Sequence, residues 1–176
     1  MYNLGYLGPK GTYSSRASEL YSKDGNKIPY NTINEVLNSL VTFESDRVIV
    51  PLENSIHGSI VEVLDFLASK NDFQILAELN LEINHSIYTL NNINIDEISV
   101  VYSHPQALGQ CYDYLNNHFK NSEHKASNST AESYNDLLNS NNKGAFIGPP
   151  WLKDNENVKL IQEDIQSVKN NVTRFV

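Results

Sequence analysis

Cysteine occurs once in this chain, at Cys111, and arginine three times, at Arg16, Arg47 and Arg174. A lone thiol has no internal disulfide partner, and it excludes a zinc cluster built on cysteines. That usage suits a reducing compartment, so a cytoplasmic location is expected. No apolar run approaches the roughly 18 residues of a membrane-spanning helix, and no membrane partner is expected. Met1-Tyr2-Asn3-Leu4-Gly5 carries no basic patch followed by an apolar core, so no secretory signal is read there. Basic charge is also short: 13 Lys and Arg stand against 21 Asp and Glu, a formal net charge of −8. The footprint of a nucleic-acid binder is therefore missing. An anionic ligand would gain nothing from the field of the whole molecule. Helix N-termini, backbone N–H groups and one or two placed cations would have to hold it.

What is present reads as an ordinary globular chain. It has 176 residues, 40% of them hydrophobic and 19% charged, which excludes collagen-like and wholly disordered classes. At roughly 150 residues per domain, the length allows one domain or two small lobes. Asparagine recurs in pairs, as at Asn91-Asn92, Asn116-Asn117, Asn141-Asn142 and Asn170-Asn171, and suits solvated turns and caps.

Strand and helix signals alternate, which predicts an α/β fold. A strand over Asn3 to Leu7 runs into Gly8-Pro9-Lys10-Gly11-Thr12, and a helix follows from about Ser14 to Tyr21. Ile28 to Asn31 is a short strand. Thr32-x-x-Glu35 is a capping box opening a helix with Ile33, Val36, Leu37 and Leu40 on one face. Arg47 to Leu52 is a strand ending at Glu53-Asn54-Ser55, with a helix from about Ser59 to Ser69. Phe73 to Leu90 is a long extended stretch. Ile98 to Tyr102 is a strand, and Ser103-His104-Pro105 opens a helix to about Phe119. Lys125 to Ser127 is a short strand, and Ser129-x-x-Glu132 is a second capping box. Strands are also read over Gly144 to Ile147, Val158 to Glu163 and Val172 to Phe175. In open α/β sheets, loops after strand carboxyl ends carry ligands. Here those are Gly8 to Ser15, Glu53 to Gly58, Ser103 to Gln106 and Asn128 to Thr130.

Each candidate has two readings. The Gly8–Thr12 turn can bring backbone close to a carboxylate or phosphate, or be a plain turn; it lacks the spacing of a Walker loop. Glu53 can act as a base and Asn54 as a donor, or Asn54 and Ser55 can cap a helix. His57, His85 and His104 form no metal-spaced pair and no HExxH pattern exists, so no metal is expected. Ser14, Ser103, Ser129 and Thr173 are hydroxyl candidates, but none lies in Gly-x-Ser-x-Gly, so a hydrolase triad is not supported. Thr173-Arg174 can be a functional pair or a strand with a surface arginine. Neighbouring strand residues point to opposite faces, so both reach one pocket only if the strand begins or twists there.

Five segments in order resemble the prephenate dehydratase family. They are Gly8-Pro9-Lys10-Gly11-Thr12-Tyr13-Ser14, then Val50-Pro51-Leu52-Glu53-Asn54-Ser55 with Gly58-Ser59. Next come Ser103-His104-Pro105-Gln106-Ala107-Leu108-x-Gln110-Cys111 and Ala126-Ser127-x-Ser129-Thr130-Ala131-Glu132. Last is Glu163-Asp164-Ile165-Gln166 followed by Asn170-Asn171-Val172-Thr173-Arg174-Phe175. Departures from the family pattern are Ser15-Arg16 after the first segment and Pro149-Pro150-Trp151 in the second half.

The resemblance implies one catalytic domain over residues 1–176, with a two-lobed fold like the type II periplasmic binding proteins and an active site in the inter-lobe cleft. The first lobe is expected at about 1–78 plus 160–176 and the second at about 79–159. The implied reaction converts prephenate to phenylpyruvate, water and carbon dioxide, without metal or cofactor. Arogenate is an alternative substrate, and a non-catalytic small-acid binding module is the alternative from another class. By position, Thr173, Asn54, Ser103 and Gln110 are the implied catalytic residues. Thr173 would donate to the departing hydroxyl. Arg174 would clamp the side-chain carboxylate, and Glu53, Thr12, Ser129, Thr130 and Phe175 would be further substrate contacts. A homodimer is implied, as is a regulatory ACT domain in the full-length protein; this chain is expected to be the catalytic domain without it.

Overall fold

The computed structural model describes residues 1–70, 72–140 and 143–176. In chain order the first elements are β1 (Asn3–Leu7), α1 (Tyr13–Tyr21), β2 (Asn26–Tyr30), α2 (Ile33–Val41), β3 (Arg47–Ile49), β4 (Pro51–Asn54), β5 (Gly58–Ser59) and α3 (Val61–Ser69). Then come β6 (Leu79–Glu82), β7 (Ser86–Leu90), β8 (Val100–Ser103), α4 (Pro105–Gln110), α5 (Tyr112–His118) and β9 (Glu123–Ala126). The chain closes with α6 (Glu132–Asn139), β10 (Gly144–Gly148), β11 (Val158–Gln162) and β12 (Val172–Phe175). Single 3-10 turns lie at Ile95–Glu97 and Pro150–Asp154.

The chain divides into two α/β units, residues 1–83 with 170–176, and residues 84–169. This is the mixed α/β, two-unit organisation that the resemblance implied. The divisions differ from those expected near residues 78 and 160. β6 pairs along β12, Val172 opposite Glu82 through Phe175 opposite Leu79, which ties it to the first unit. β11 pairs antiparallel with β7, Val158 opposite Leu90, which ties it to the second.

The first unit holds a parallel sheet of order β2-β1-β3 and an antiparallel sheet of order β5-β4-β12-β6. Period-two alternation decides which face each side chain takes. Leu4 and Tyr6 of β1 join Ala17 of α1, Ile49 and Phe175 in one cluster. Leu7 packs on a second cluster, with Val36 and Leu37 of α2, Leu52, and Val63 of α3. The capping box opens α2 as expected: Thr32 Oγ1 accepts from Glu35 N at 3.1 Å. The Glu35 carboxylate reaches back to Asn31 N rather than to Thr32 N.

The helix expected from Ser59 starts two residues later, at Val61. Before it, β4 and β5 form a tight antiparallel hairpin, Asn54 opposite Gly58. Gly58 has φ +80°, a conformation that glycine adopts without the steric cost a Cβ would bring.

The second unit is one mixed sheet of order β11-β7-β10-β8-β9. Its central strands are apolar without polar alternation because both faces are covered. Ile87, Val101, Ala145 and Ile147 face Ala107 of α4 and Leu115 of α5. Tyr88, Val100, Tyr102 and Phe146 face Leu137 of α6. Phe146 is fully buried and stacks on Tyr88 at 5.5 Å between ring centroids; truncating such a residue to Ala costs about 3–5 kcal/mol. The single helix expected to Phe119 breaks into α4 and α5 at Cys111, whose φ −105° and ψ 10° leave the helical basin.

Candidate active site

Asn54 ends β4, and its side chain is fixed at both ends. Its Oδ1 accepts from the N–H groups of Ile56 at 2.9 Å and His57 at 3.0 Å, closing the β4–β5 hairpin. That use excludes the helix-capping role open from the sequence. With the oxygen committed to two donors, the amide has one orientation, its NH2 facing β12. There Nδ2 donates to Asn171 Oδ1 at 2.6 Å and to Thr173 Oγ1 at 2.9 Å.

The cross-strand register makes this meeting obligatory: Thr173 stands opposite Asn54 in the β4–β12 ladder. Ser55 stitches the same junction. Its Oγ accepts from Val172 N at 2.9 Å, and its backbone N donates to Val172 O. Asn170 turns the chain into β12 with φ +63°, a conformation Asn tolerates better than most residues.

The chemical consequence lies in the Thr173 hydroxyl. Thr173 is 7% exposed, and its hydroxyl receives a hydrogen bond from an amide that can only donate there. Its own proton is therefore not spent on Asn54. A hydroxyl whose lone pair is engaged by a donor and whose proton can be aimed elsewhere is a directed hydrogen-bond donor.

Arg174 follows on the opposite face, across from Glu53. Its guanidinium lies 3.4 Å from Glu53 and 3.9 Å from Glu78. The other two arginines are also engaged, Arg16 with Glu19 and Arg47 with the Tyr21 hydroxyl and the Tyr2 ring. The twist that would bring Thr173 and Arg174 to one pocket is not found between them. The register shift of β12 falls after Arg174 instead. Phe175, expected as a substrate contact, is 2% exposed and belongs to the core with Leu4, Tyr6 and Ile49. Thr12 caps α1: its Oγ1 accepts from Ser15 N at 3.2 Å and lies 3.0 Å from Pro9 O as a donor.

In the second unit the expected residues are likewise bound into local structure. Ser103 is fully buried on β8, and its Oγ donates to Ile147 O at 3.1 Å. Ser129 lies in the turn before α6, whose cap position is Ala131; its Oγ accepts from Glu132 N at 3.0 Å, and the Thr130 carbonyl accepts from Ser133 Oγ at 2.6 Å. His104 caps α4 through Nδ1, which accepts from Gln106 N at 3.3 Å. Gln110, half-buried at the end of α4, has its Oε1 at 2.7 Å from His85 Nε2.

Asn171, Ser55 and His85 were not singled out for these contacts in the sequence. Asn171 was read only in an asparagine pair suited to turns and caps and in the last family-like segment, and His85 only among histidines with no metal spacing. Among the described residues no group of three His, Cys, Asp or Glu side chains could hold a metal ion, and no helix is long and apolar enough to cross a membrane. A cavity of about 250 Å³ opens in the first unit among Leu37, Leu40, Val63, Phe66 and Leu76, but neither Asn54 nor Thr173 lines it.

The model of one family, described as prephenate dehydratase, matches residues 4–176. The chain belongs to the prephenate dehydratase family. It is 37% identical to a prephenate dehydratase of Methanocaldococcus jannaschii, over 97% of this chain and 62% of that protein. It is 35% identical to a bifunctional chorismate mutase/prephenate dehydratase of Buchnera aphidicola subsp. Acyrthosiphon pisum, over 99% of this chain and 46% of that protein. Its fold matches the solved prephenate dehydratase of Arthrobacter aurescens, in complex with L-Phe, with a TM-score of 0.86 and 27% identity. That match covers 98% of this chain and 58% of the other. The chain thus spans about half to two thirds of the length of these prephenate dehydratase relatives.

Proposed function

We propose that this chain catalyses the decarboxylative dehydration of prephenate to phenylpyruvate. The observation that carries this reading is the Asn54–Thr173 pair, which leaves a buried hydroxyl with its proton to give. In the reaction the bond from the ring to its carboxylate breaks and that group leaves as carbon dioxide. The electron pair moves into the ring, which becomes aromatic, and the ring hydroxyl departs as water after gaining one proton. Aromatisation supplies the thermodynamic drive within the substrate itself.

A threonine hydroxyl is a weak Brønsted acid, so its task is a strong hydrogen bond to the departing oxygen, or relay of a proton to it. Such a bond strengthens as negative charge grows on that oxygen, which is the differential stabilisation catalysis requires. The carboxylate that leaves as carbon dioxide loses its charge. A cation held against it would stabilise the ground state more than the transition state. Arg174 is therefore assigned to the side-chain carboxylate that survives; because it leaves β12 on the face opposite Thr173, its long side chain must release Glu53 and turn round the strand to reach the same ligand. Gln110 is assigned as a neutral donor to substrate, while Ser103, Ser129 and Thr130 shape the protein around it through the bonds they make.

The test is direct. The chain is mixed with prephenate at neutral pH, without metal or nucleotide, and phenylpyruvate is followed by its ultraviolet absorbance. Product formation that tracks protein concentration supports the reading. Tight prephenate binding with no phenylpyruvate would make the chain a binding module instead. Arogenate in a parallel assay decides between the two substrates.

A further inference from the structure

The geometry points to His85 as a positioning residue that fixes the amide of Gln110. The inference rests on the reading of Gln110 as a substrate contact. His85 sits immediately before β7 and is 4% exposed. Its main chain is held on both sides by the segment Ile165-Gln166. His85 N donates to Gln166 Oε1 at 2.9 Å, and its carbonyl accepts from Ile165 N at 3.0 Å. Gln166 is held in turn, since its Nε2 donates to Asn84 Oδ1 at 2.9 Å. The ring therefore leaves a clamped backbone and has little freedom of its own.

Nε2 of that ring lies 2.7 Å from Gln110 Oε1, while Nδ1 is buried with no hydrogen-bond partner. An amide oxygen only accepts, so the proton resides on Nε2 and the ring is the neutral Nε2–H tautomer. The reverse arrangement, with the Gln110 NH2 donating to Nε2, would bury an Nδ1–H donor without an acceptor, the rarer and costlier defect. Burial also pushes the His85 imidazole below its ordinary pKa, against a smaller opposing effect of the Gln110 bond. The ring is thus held neutral, with one donor aimed at one oxygen.

A glutamine side chain has three rotatable bonds and two amide orientations that exchange donor for acceptor. His85 settles the orientation. Gln110 turns its oxygen to the ring and its NH2 end away from it. The Gln110 main chain is fixed separately, its carbonyl accepting from Ser167 N at 2.8 Å, and Ser167 Oγ donates to Asp113 Oδ2 at 2.6 Å. The orientation of the Gln110 amide is thereby set before ligand arrives.

The experiment is a double-mutant cycle on prephenate turnover with His85→Leu, His85→Gln and Gln110→Ala, each checked for folding by circular dichroism and thermal unfolding. His85→Leu removes the donor. His85→Gln can place an NH2 near the position of Nε2. The expected result is a roughly tenfold or larger fall in kcat/KM for His85→Leu and substantial rescue in His85→Gln. The loss should vanish when His85→Leu is added to Gln110→Ala. A long-range imidazole ¹H–¹⁵N spectrum should show His85 as the Nε2–H tautomer, with that proton's signal altered in Gln110→Ala.

Equal losses from His85→Leu in both backgrounds would make His85 merely structural and overturn the inference. So would full activity in either folded His85→Leu or Gln110→Ala, or a proton found on Nδ1. These outcomes leave the dehydratase reading standing. Absence of phenylpyruvate from the unmutated chain removes that reading and this inference with it.

Discussion

Asn54 Nδ2 and Thr173 Oγ1 lie 2.9 Å apart although the residues are 119 positions apart in the chain. The hairpin turn fixes the asparagine, the asparagine fixes what the threonine can accept, and the threonine keeps its proton to donate. Removing that proton tests the arrangement most simply. In Thr173→Val, nearly isosteric, kcat on prephenate should fall by roughly 10²-fold or more. Thr173→Ser should retain a larger share, since it keeps the hydroxyl. Steady-state kinetics on folded variants decide it, and near-normal kcat in Thr173→Val would remove the hydroxyl from the chemistry.

Asn54→Asp separates orientation from folding. The carboxylate keeps an oxygen for the Ile56 and His57 N–H groups, so the hairpin survives. Its second oxygen replaces the NH2 that faces Asn171 and Thr173. The threonine hydroxyl must now donate to that carboxylate, and its proton is captured. We expect kcat to drop about as far as in Thr173→Val, with a thermal midpoint moved by only a few degrees. A variant that keeps more than half of its kcat would show that the direction of this hydrogen bond does not matter.

Much of this was readable in the chain before the structure. The strand limits of β1 and β12 and the capping role of Thr32 followed from local chemistry, because Thr32 acts on an N–H group three residues away; Ser129 makes the same kind of bond to Glu132 N, but ahead of a helix whose cap position is Ala131. The hairpin at Asn54 was not read in the sequence, where a donor role and a capping role both stayed open, because Asn and Ser suit caps and turns alike. Only the pairing of Glu53 with Ser59 settles which is made. Phe175 took its expected substrate role from its place beside Thr173-Arg174, yet alternation along β12 turns it into the core. His85 was invisible as a partner of Gln110 because 25 residues separate them and no local pattern joins them.

Arg174 and Glu53 allow a prediction with a sign. If the guanidinium receives a substrate carboxylate, Glu53 competes for the same group at 3.4 Å. Glu53→Gln should then leave KM for prephenate unchanged or lower it. Arg174→Gln should raise KM by roughly 10- to 100-fold, the range of a lost charge-assisted hydrogen bond. A rise of KM in Glu53→Gln comparable to that in Arg174→Gln would mean that the ion pair serves the sheet and not the ligand.

His85 gives the stability of the second unit a pH dependence. Burial holds its folded-state pKa below the value near 6.5 of an exposed imidazole, with the Gln110 bond opposing in part. In the window between the two values the unfolded chain carries a proton on His85 and the folded chain does not. The unfolded state then binds more protons, so stability rises with pH. The stabilisation is complete above about pH 6.5 and declines as pH falls toward the folded pKa. Denaturant unfolding at a series of pH values should show this slope in the parent chain and a flatter one in His85→Gln. Equal slopes in the two proteins would place the titration elsewhere.

Cys111 reports on the same region. It is fully buried where α4 meets α5, beside Gln110, and burial pushes its thiol up to about 12. Only the thiolate reacts, so at pH 8 about one thiol in 10⁴ is in the reactive form, before shielding is counted. Labelling by a thiol reagent should therefore be far slower in the folded chain than in denaturant, and should speed up as denaturant opens the unit. Where opening is rapid and reversible, the labelling rate measures the local opening free energy. His85→Leu removes a hydrogen bond one residue away from this thiol in sequence. If that bond anchors the end of α4, Cys111 labelling accelerates in the variant even where global unfolding barely changes. If the two proteins label at the same rate, the bond orients the Gln110 amide without holding the helix, and any loss of turnover in His85→Leu then comes from that orientation alone.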